Sequence, residues 1–274
     1  MASKIVLITG SASGVGLYLT SRFSLAGYRV VATDVNFQGL KAAAAEQGWP
    51  KDNVWLRKLD ITQKSQWTKL WSDLMAKWGR VDIACNVAGY LKPGMVSETE
   101  LEQIDRHIDI NVKGLMYGSQ FAAAQMVAQG GGHIINIASL AGVAPIPGIA
   151  LYSASKFAVR GFSLALAQEL KPQNVAVSVI CPDAIETPML TLQESYDEAA
   201  LTFSGSKTLT VEDIGDLVFK RVLPDQPLEL MLPRHRGWLA KMAGAIPNIS
   251  IMMSEHLRKL GREKQAERKR AAKR

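Results

Sequence analysis

Short runs of aliphatic and β-branched residues alternate with longer stretches of helical periodicity along the first 233 positions of this chain. The runs at residues 4–8, 29–34, 54–58, 81–86, 133–137, 175–180 and 229–232 are apolar at successive positions, which predicts strands buried on both faces. Between them the spacing predicts helices from residue 15, over 39–47 and 65–78, within 100–129, and over 152–169. Thr210 and Asp213 predict a capped helix start, with the helix running to about residue 222. Buried strands separated by helices define an α/β fold, a doubly wound parallel sheet of Rossmann type, here a single domain over residues 1–233. Residues 190–210 break the alternation, and an insertion there would lie over the carboxyl ends of the strands, where it can cover a ligand.

Past Pro233 the pattern changes. Trp238, Leu239, Met242 and Ile246 precede Pro247, then Ile249, Met252, Met253, Leu257 and Leu260 recur at helical spacing before a basic end. Residues 234–274 hold twelve Lys/Arg and three Asp/Glu, so the formal charge of +7 is a property of this extension and the first 233 residues carry −2. Basicity confined to one end is not the spread surface of a nucleic-acid-binding domain, and no nucleic acid is expected as a partner. An apolar stripe joined to a basic end suits peripheral contact with an anionic membrane, although packing on its own domain or a partner subunit is the commoner use of such a stripe. The last dozen residues are expected to be disordered.

The charge-free stretch 114–155 is interrupted by three consecutive glycines and two prolines, so it reads as a helix, a strand and a loop rather than a membrane span. Residues 5–8 are too short a run for a signal-peptide core. Cys85 and Cys181 sit in apolar strand runs without metal-ligand spacing, which predicts neither a metal nor a disulfide and fits a reducing, cytoplasmic setting.

The turn Gly10-Ser11-Ala12-Ser13-Gly14-Val15-Gly16 lies between the first strand and the first helix. Glycines there let backbone approach a pyrophosphate, and the helix N-terminus offers free N–H groups. Asp34 ends the second strand, where a carboxylate accepts from both adenosine-ribose hydroxyls and repels a 2′-phosphate. NAD is therefore expected over NADP.

Tyr152 and Lys156 lie four apart at a helix start, so their polar ends can converge. An ammonium about 5 Å from a phenol contributes roughly 3 kcal/mol at an effective dielectric near 20, or about two pK units. That shift would bring the tyrosine into range as a general acid or base. Ser139, after the fifth strand, can polarise the same substrate oxygen.

The segments TGSASGVG (9–16), LDIT (59–62), Asn86-Val87-Ala88-Gly89, Asn111, Ser139, Tyr152 with Lys156, and 182–187 together resemble the short-chain dehydrogenase/reductase family from residue 1 to about residue 233. The resemblance implies hydride transfer between a nicotinamide and an alcohol or ketone, with Asn111, Ser139, Tyr152 and Lys156 as the catalytic set. It further implies that Lys156 binds the nicotinamide ribose and that Asn111 helps hold a water near that lysine. By the same resemblance Asp60 and Ile61 contact adenine, Asn86 supports the central strand beside Ala88 and Gly89, and Ile185 and Thr187 hold the carboxamide. Two positions depart from the family pattern: Val87 replaces an asparagine, and Asp183 replaces a glycine and brings a carboxylate near the nicotinamide pocket.

Ser139, Leu140, Ala141, Ile149, Met189 and Leu190, with residues 90–95, Leu192, Tyr196 and Phe203, would surround the reacting carbon. Their apolar character predicts a small lipophilic secondary alcohol or ketone of steroid, retinoid or long-chain type. A 3-oxoacyl reductase and a catalytically silent NAD-binding scaffold are the alternatives. Apolar surface on the helices after residues 114 and 156 predicts a homodimer or homotetramer.

Overall fold

The computed structural model describes residues 3–271. Seven strands, β1 (Ile5–Thr9), β2 (Arg29–Asp34), β3 (Val54–Lys58), β4 (Ile83–Asn86), β5 (Gly132–Ile137), β6 (Val175–Pro182) and β7 (Glu229–Leu232), form one parallel sheet in the order β3-β2-β1-β4-β5-β6-β7. β1 pairs with β2 on one side and β4 on the other, so Val6 lies opposite both Val30 and Ile83. The chain reverses its direction of winding there, which opens a crevice at the carboxyl ends of β1 and β4.

Consecutive residues of a strand face opposite sides, which explains the unbroken apolar runs. Ile8 points toward the layer of α1 (Gly14–Leu25), α2 (Phe37–Glu46) and α8 (Val211–Leu217), among Leu19, Phe23, Leu40 and Ile214. Leu7 points the other way, toward α3 (Lys64–Trp78), α5 (Leu115–Ala128) and α6 (Ala150–Leu170), among Trp67, Leu74, Met126 and Leu166. Trp67 is fully buried, and its indole N–H donates to the Ile61 carbonyl at 2.9 Å. Each such side chain contributes roughly 1.5–3 kcal/mol by leaving water.

The predicted elements are present with ends displaced by a residue or two. The 100–129 region is one continuous helical run, α4 (Leu101–Ile108), a π-helical segment (Asp109–Gly114) and then α5. α8 starts at the expected cap, where Thr210 and Asp213 exchange side-chain and backbone hydrogen bonds, and continues through a π segment (Val218–Val222) into the single turn α9 (Leu223–Asp225). Between β6 and α8 lie α7 (Pro188–Glu194) and a 3-10 stretch (Asp197–Ser204). After β7 come α10 (Arg234–Ala245) and α11 (Pro247–Ala271).

The expected disorder of the final dozen residues is not found as far as Ala271, and residues 272–274 lie outside those described. Helix α11 is ordered because it lies on the α7 region. Gln265 is buried and its amide donates to the carbonyls of Gln193, Glu194 and Tyr196 at 3.0, 3.1 and 2.8 Å. Arg268 pairs with both oxygens of Glu186 at 2.6 and 2.7 Å and with Glu194 at 2.7 Å, while Lys264 donates to the Gly205 carbonyl. Leu257 and Leu260 are half-buried, so that part of the apolar stripe packs on the chain itself. No described helix is long and apolar enough to cross a membrane.

Candidate active site

A cavity of about 720 Å³ opens at the carboxyl ends of the strands, lined at one end by the glycine turn and at the other by Ser139, Tyr152 and Lys156. Gly10 has φ +75°, and a methyl group on it would meet the Ala88 backbone at 2.9 Å. On Gly16 the same group would sit 2.0 Å from the Gly10 carbonyl oxygen. Only glycines let this turn fold against α1, and Ser13, Gly14 and Val15 line the cavity beside the helix N-terminus. The Thr9 hydroxyl accepts from the Val87 and Ala88 N–H groups at 3.0 and 3.1 Å, closing the crevice floor.

Asp34 lines the cavity with both carboxylate oxygens held at 2.9 Å, one by the Ala12 N–H and the other by that of Asn36. Asp60 is fixed by Thr62, whose N–H and hydroxyl donate to it at 3.0 and 2.7 Å, and lines the cavity with Ile61. Ala88, Gly89, Ile185 and Thr187 also line it. A turn that excludes side chains, a helix N-terminus and an oriented carboxylate together fit a dinucleotide.

Asn86 occupies the strand-supporting position that the resemblance implied. It is absent from the cavity wall, and its amide is used inside the sheet, donating to Asn136 at 2.9 Å and Ser119 at 3.1 Å. It therefore ties β4 to β5 and α5. Asn111 also stands behind the wall. Its side chain accepts from the Tyr90 N–H at 2.7 Å and donates to the Tyr90 carbonyl at 2.8 Å and to Ser155 at 2.9 Å. Those bonds use both amide protons and one lone pair of its oxygen. The π segment that carries Asn111 widens the helix by one residue, a distortion that recurs at functional sites.

α6 begins at Ala150, so Tyr152 and Lys156 lie in its first two turns and face the end of β5. The Lys156 ammonium donates to the Ile137 carbonyl at 2.8 Å and stands 5.5 Å from the Tyr152 ring centre. Burial opposes the shift that the spacing predicted for the Tyr152 phenol. Burial pushes it up to about 12, because a phenolate there is cut off from water, and the nearby Ser139 hydroxyl pulls it only partly back. Burial likewise lowers Lys156 to about 8. At neutral pH the chain's own groups thus set a neutral phenol beside a cationic lysine. The Ser139 hydroxyl accepts from the Ala141 N–H at 3.1 Å, which orients it.

The buried His107 and His133 are engaged elsewhere, with the Gln103 carbonyl and the Ser178 hydroxyl respectively. Both thiols are buried, and burial raises their pKa values. No group of three metal-ligating side chains is assembled among the described residues.

The far end of the cavity is apolar, formed by Leu91, Leu140, Ala141, Ile149, Met189 and Leu190. Of residues 90–95, Tyr90 and Leu91 line the cavity and 92–95 do not; Met95 and Leu192 are exposed, and Phe203 lines a smaller neighbouring pocket. Tyr196 packs behind Ile149 and Met189. The sequence reading missed Arg106 and Arg236, which both line the cavity. Arg106 lies over the Tyr90 ring, 4.5 Å from its centre. Arg236, from α10, pairs with Asp183. The position of Asp183 needs no left-handed backbone; among the described residues only Asn174 and Gln226 have positive φ outside glycine. Its carboxylate instead answers an arginine, and a carboxylate where glycine is usual was the one available sign of a cation nearby.

The chain matches the short chain dehydrogenase family over residues 4–197, and it belongs to that family of oxidoreductases. Among curated relatives, it is 32% identical over 203 residues to the 3-oxoacyl-[acyl-carrier-protein] reductase FabG of Thermotoga maritima, covering 74% of this chain and 82% of that protein. It is 34% identical to the 2,5-dichloro-2,5-cyclohexadiene-1,4-diol dehydrogenase LinX of Sphingobium indicum, covering 69% and 76%. To the NADP-dependent 3-hydroxy acid dehydrogenase YdfG of Shigella flexneri it is 34% identical, covering 78% and 87%. A solved short-chain type dehydrogenase/reductase from Mycobacterium ulcerans superposes with a TM-score of 0.74 at 26% identity, covering 83% of this chain and 87% of that one.

Proposed function

We infer that this chain transfers hydride between NAD(H) and a lipophilic secondary alcohol or ketone, with Tyr152 exchanging the proton on the substrate oxygen. The observation that carries the reading is the convergence of Tyr152, Ser139 and Lys156 on one cavity wall, at the end away from the glycine turn. The nicotinamide, when bound, supplies or accepts the hydride. Gly10, Ser13, Gly14, Val15 and Gly16 would hold its pyrophosphate, Ile185 and Thr187 its carboxamide, and Lys156 its ribose. Ser139 positions the substrate oxygen against the phenol, and a neutral Tyr152 gives its proton to a ketone oxygen. In oxidation the same oxygen accepts the alcohol proton, with the Lys156 charge stabilising the phenolate.

NAD is favoured by Asp34, whose fixed carboxylate would repel a 2′-phosphate. The name of the Shigella relative points to the other cofactor, so position 34 is where the two readings separate. The apolar end of the cavity supports a lipophilic substrate. A second reading, reduction of carrier-bound 3-oxoacyl groups, is favoured by the Thermotoga relative. Partly exposed Phe157 on α6 and Val127 on α5 support a homo-oligomer through these helices.

The test is NADH formation from NAD with secondary alcohols of rising hydrophobicity, wild type against Tyr152→Phe. Turnover should rise with chain length and fall about 10²- to 10⁴-fold in the variant, with NAD affinity retained. A variant as active as the wild type would overturn the acid–base assignment. Preference for NADPH and an acyl-carrier thioester would establish the second reading.

A further inference from the structure

Helix α10 is inside out. Trp238, Leu239 and Met242 lie on one helical face and are 72%, 62% and 48% exposed, and Ile246, at the junction with α11, and Ile251 and Met252, near the start of α11, are exposed as well. The opposite face carries small or paired residues: Gly237 against Met231, Ala240 beside Leu140 and Val143, and Lys241 in an ion pair with Glu229. A surface helix normally turns its apolar stripe inward. Six large apolar side chains exposed within residues 238–252 mark an interaction site rather than ordinary scatter.

Charge decides between occupants. Residues 234–254 contain three Lys/Arg and no Asp or Glu. Arg236 is used internally by Asp183, whereas Arg234 and His235 are exposed one helical turn before Trp238 and Leu239. On α11, Lys259 and Arg262 are exposed, and neither they nor Arg234 form an ion pair among the described residues. A symmetric contact between two copies would press these like-charged segments together. An anionic lipid surface meets both features, taking the apolar side chains into the acyl boundary and the cations among the headgroups. Tryptophan at the rim of such a patch suits the interfacial layer.

We propose that α10 and the start of α11 dock on an anionic bilayer, with Trp238, Leu239, Met242, Ile246, Ile251 and Met252 as the inserted face. The inference stands without the lipophilic-substrate reading, since its readout is binding and not turnover. Because Ala240 packs on the cluster that includes the cavity-lining Leu140, docking would also bring the cavity close to the lipid.

The full chain is sedimented with phosphatidylcholine vesicles, with and without phosphatidylglycerol, at low and raised salt. Wild type should co-sediment with the anionic vesicles at least about tenfold more strongly than with neutral ones, and lose binding as salt rises. The Trp238→Ser, Leu239→Ser, Met242→Ser triple variant should lose that binding while keeping its turnover and its mass in solution. Arg234→Glu alone should weaken binding without touching the apolar face. Wild type remaining in the supernatant, or a triple variant that binds as well, overturns the proposal. So does a triple variant whose mass falls while vesicle binding is unchanged, which would assign the face to a second copy of the chain.

Discussion

The glycine turn and the roof of the cavity occupy opposite ends of one site and are held in different ways. At the turn, Gly16 packs on the Gly10 carbonyl six residues back and Gly10 on the Ala88 backbone, and Asp34 is fixed by N–H groups of its own strand end and of the turn. The roof, α7 and the 3-10 stretch after it, is held by side chains that lie 69 to 82 positions further along the chain. The first arrangement leaves almost no room for substitution. The second is a set of replaceable polar contacts, which suits the part of the site that must fit a particular substrate. The family match ends at residue 197, so the helix that holds the roof lies beyond it.

The sharpest way to break this comparison is at Gly16. A Gly16→Val side chain would start 2.0 Å from the Gly10 carbonyl oxygen, so the turn must open. Overpacking of this kind costs about 1–3 kcal/mol, here concentrated on the cofactor end, and cofactor affinity measured by titration should fall about 10- to 100-fold. Unchanged affinity would mean that the turn is not the pyrophosphate cradle. Asp34→Ala comes next. It removes the charge that would oppose a 2′-phosphate, and the ratio of kcat/KM for NAD to that for NADP should drop about tenfold or more. An unaltered ratio would show that cofactor choice resides elsewhere.

These two positions were legible in the sequence because their signals are local. A turn between a strand and a helix has a spacing, as do Tyr152 and Lys156 on one helical face and the Thr210–Asp213 cap. The strands were legible for the same reason, since burial on both faces of the inner ones writes itself into consecutive residues. What was not legible depends on distant partners. Gln265 and Arg268 carry no mark of Gln193, Glu194 or Glu186, and the basic end looked disordered because its acidic partners lie in another segment. Nor does spacing report burial at a site. Tyr152 and Lys156 converge as expected, yet burial raises the phenol, an effect the spacing does not carry.

The roof is probed by Arg268→Ala. It removes the pairing with Glu186 and Glu194, beside the cavity-lining residues Thr187 and Gln193, while touching no wall of the cavity itself. Because Arg268 is part-exposed, screening limits the effect, and substrate KM should rise about three- to tenfold with kcat and NAD affinity nearly unchanged. A loss confined to kcat would instead tie α11 to the chemistry. Arg268→Lys should restore only part of the KM, since one ammonium cannot reproduce the two-pronged contact with Glu186.

The smallest effect at neutral pH is also the one that joins the two ends of the site. Under the proposed mechanism, reduction of a ketone needs a neutral Tyr152 and is aided by a charged Lys156. With the phenol pushed up to about 12 and the lysine lowered to about 8, both conditions hold near pH 7. Below its pKa the lysine is cationic, so kcat/KM for reduction should be level between about pH 6 and 7 and fall as pH rises through about 8, by no more than about tenfold per unit. Oxidation needs the phenolate, and its rate should climb over the same interval until loss of the ammonium checks it. In Lys156→Arg the guanidinium keeps its charge, so whatever rate survives should show no fall near pH 8. A wild-type reduction profile level through about pH 9 would show that the lysine charge does not enter the rate and that its bond to Ile137 is purely structural.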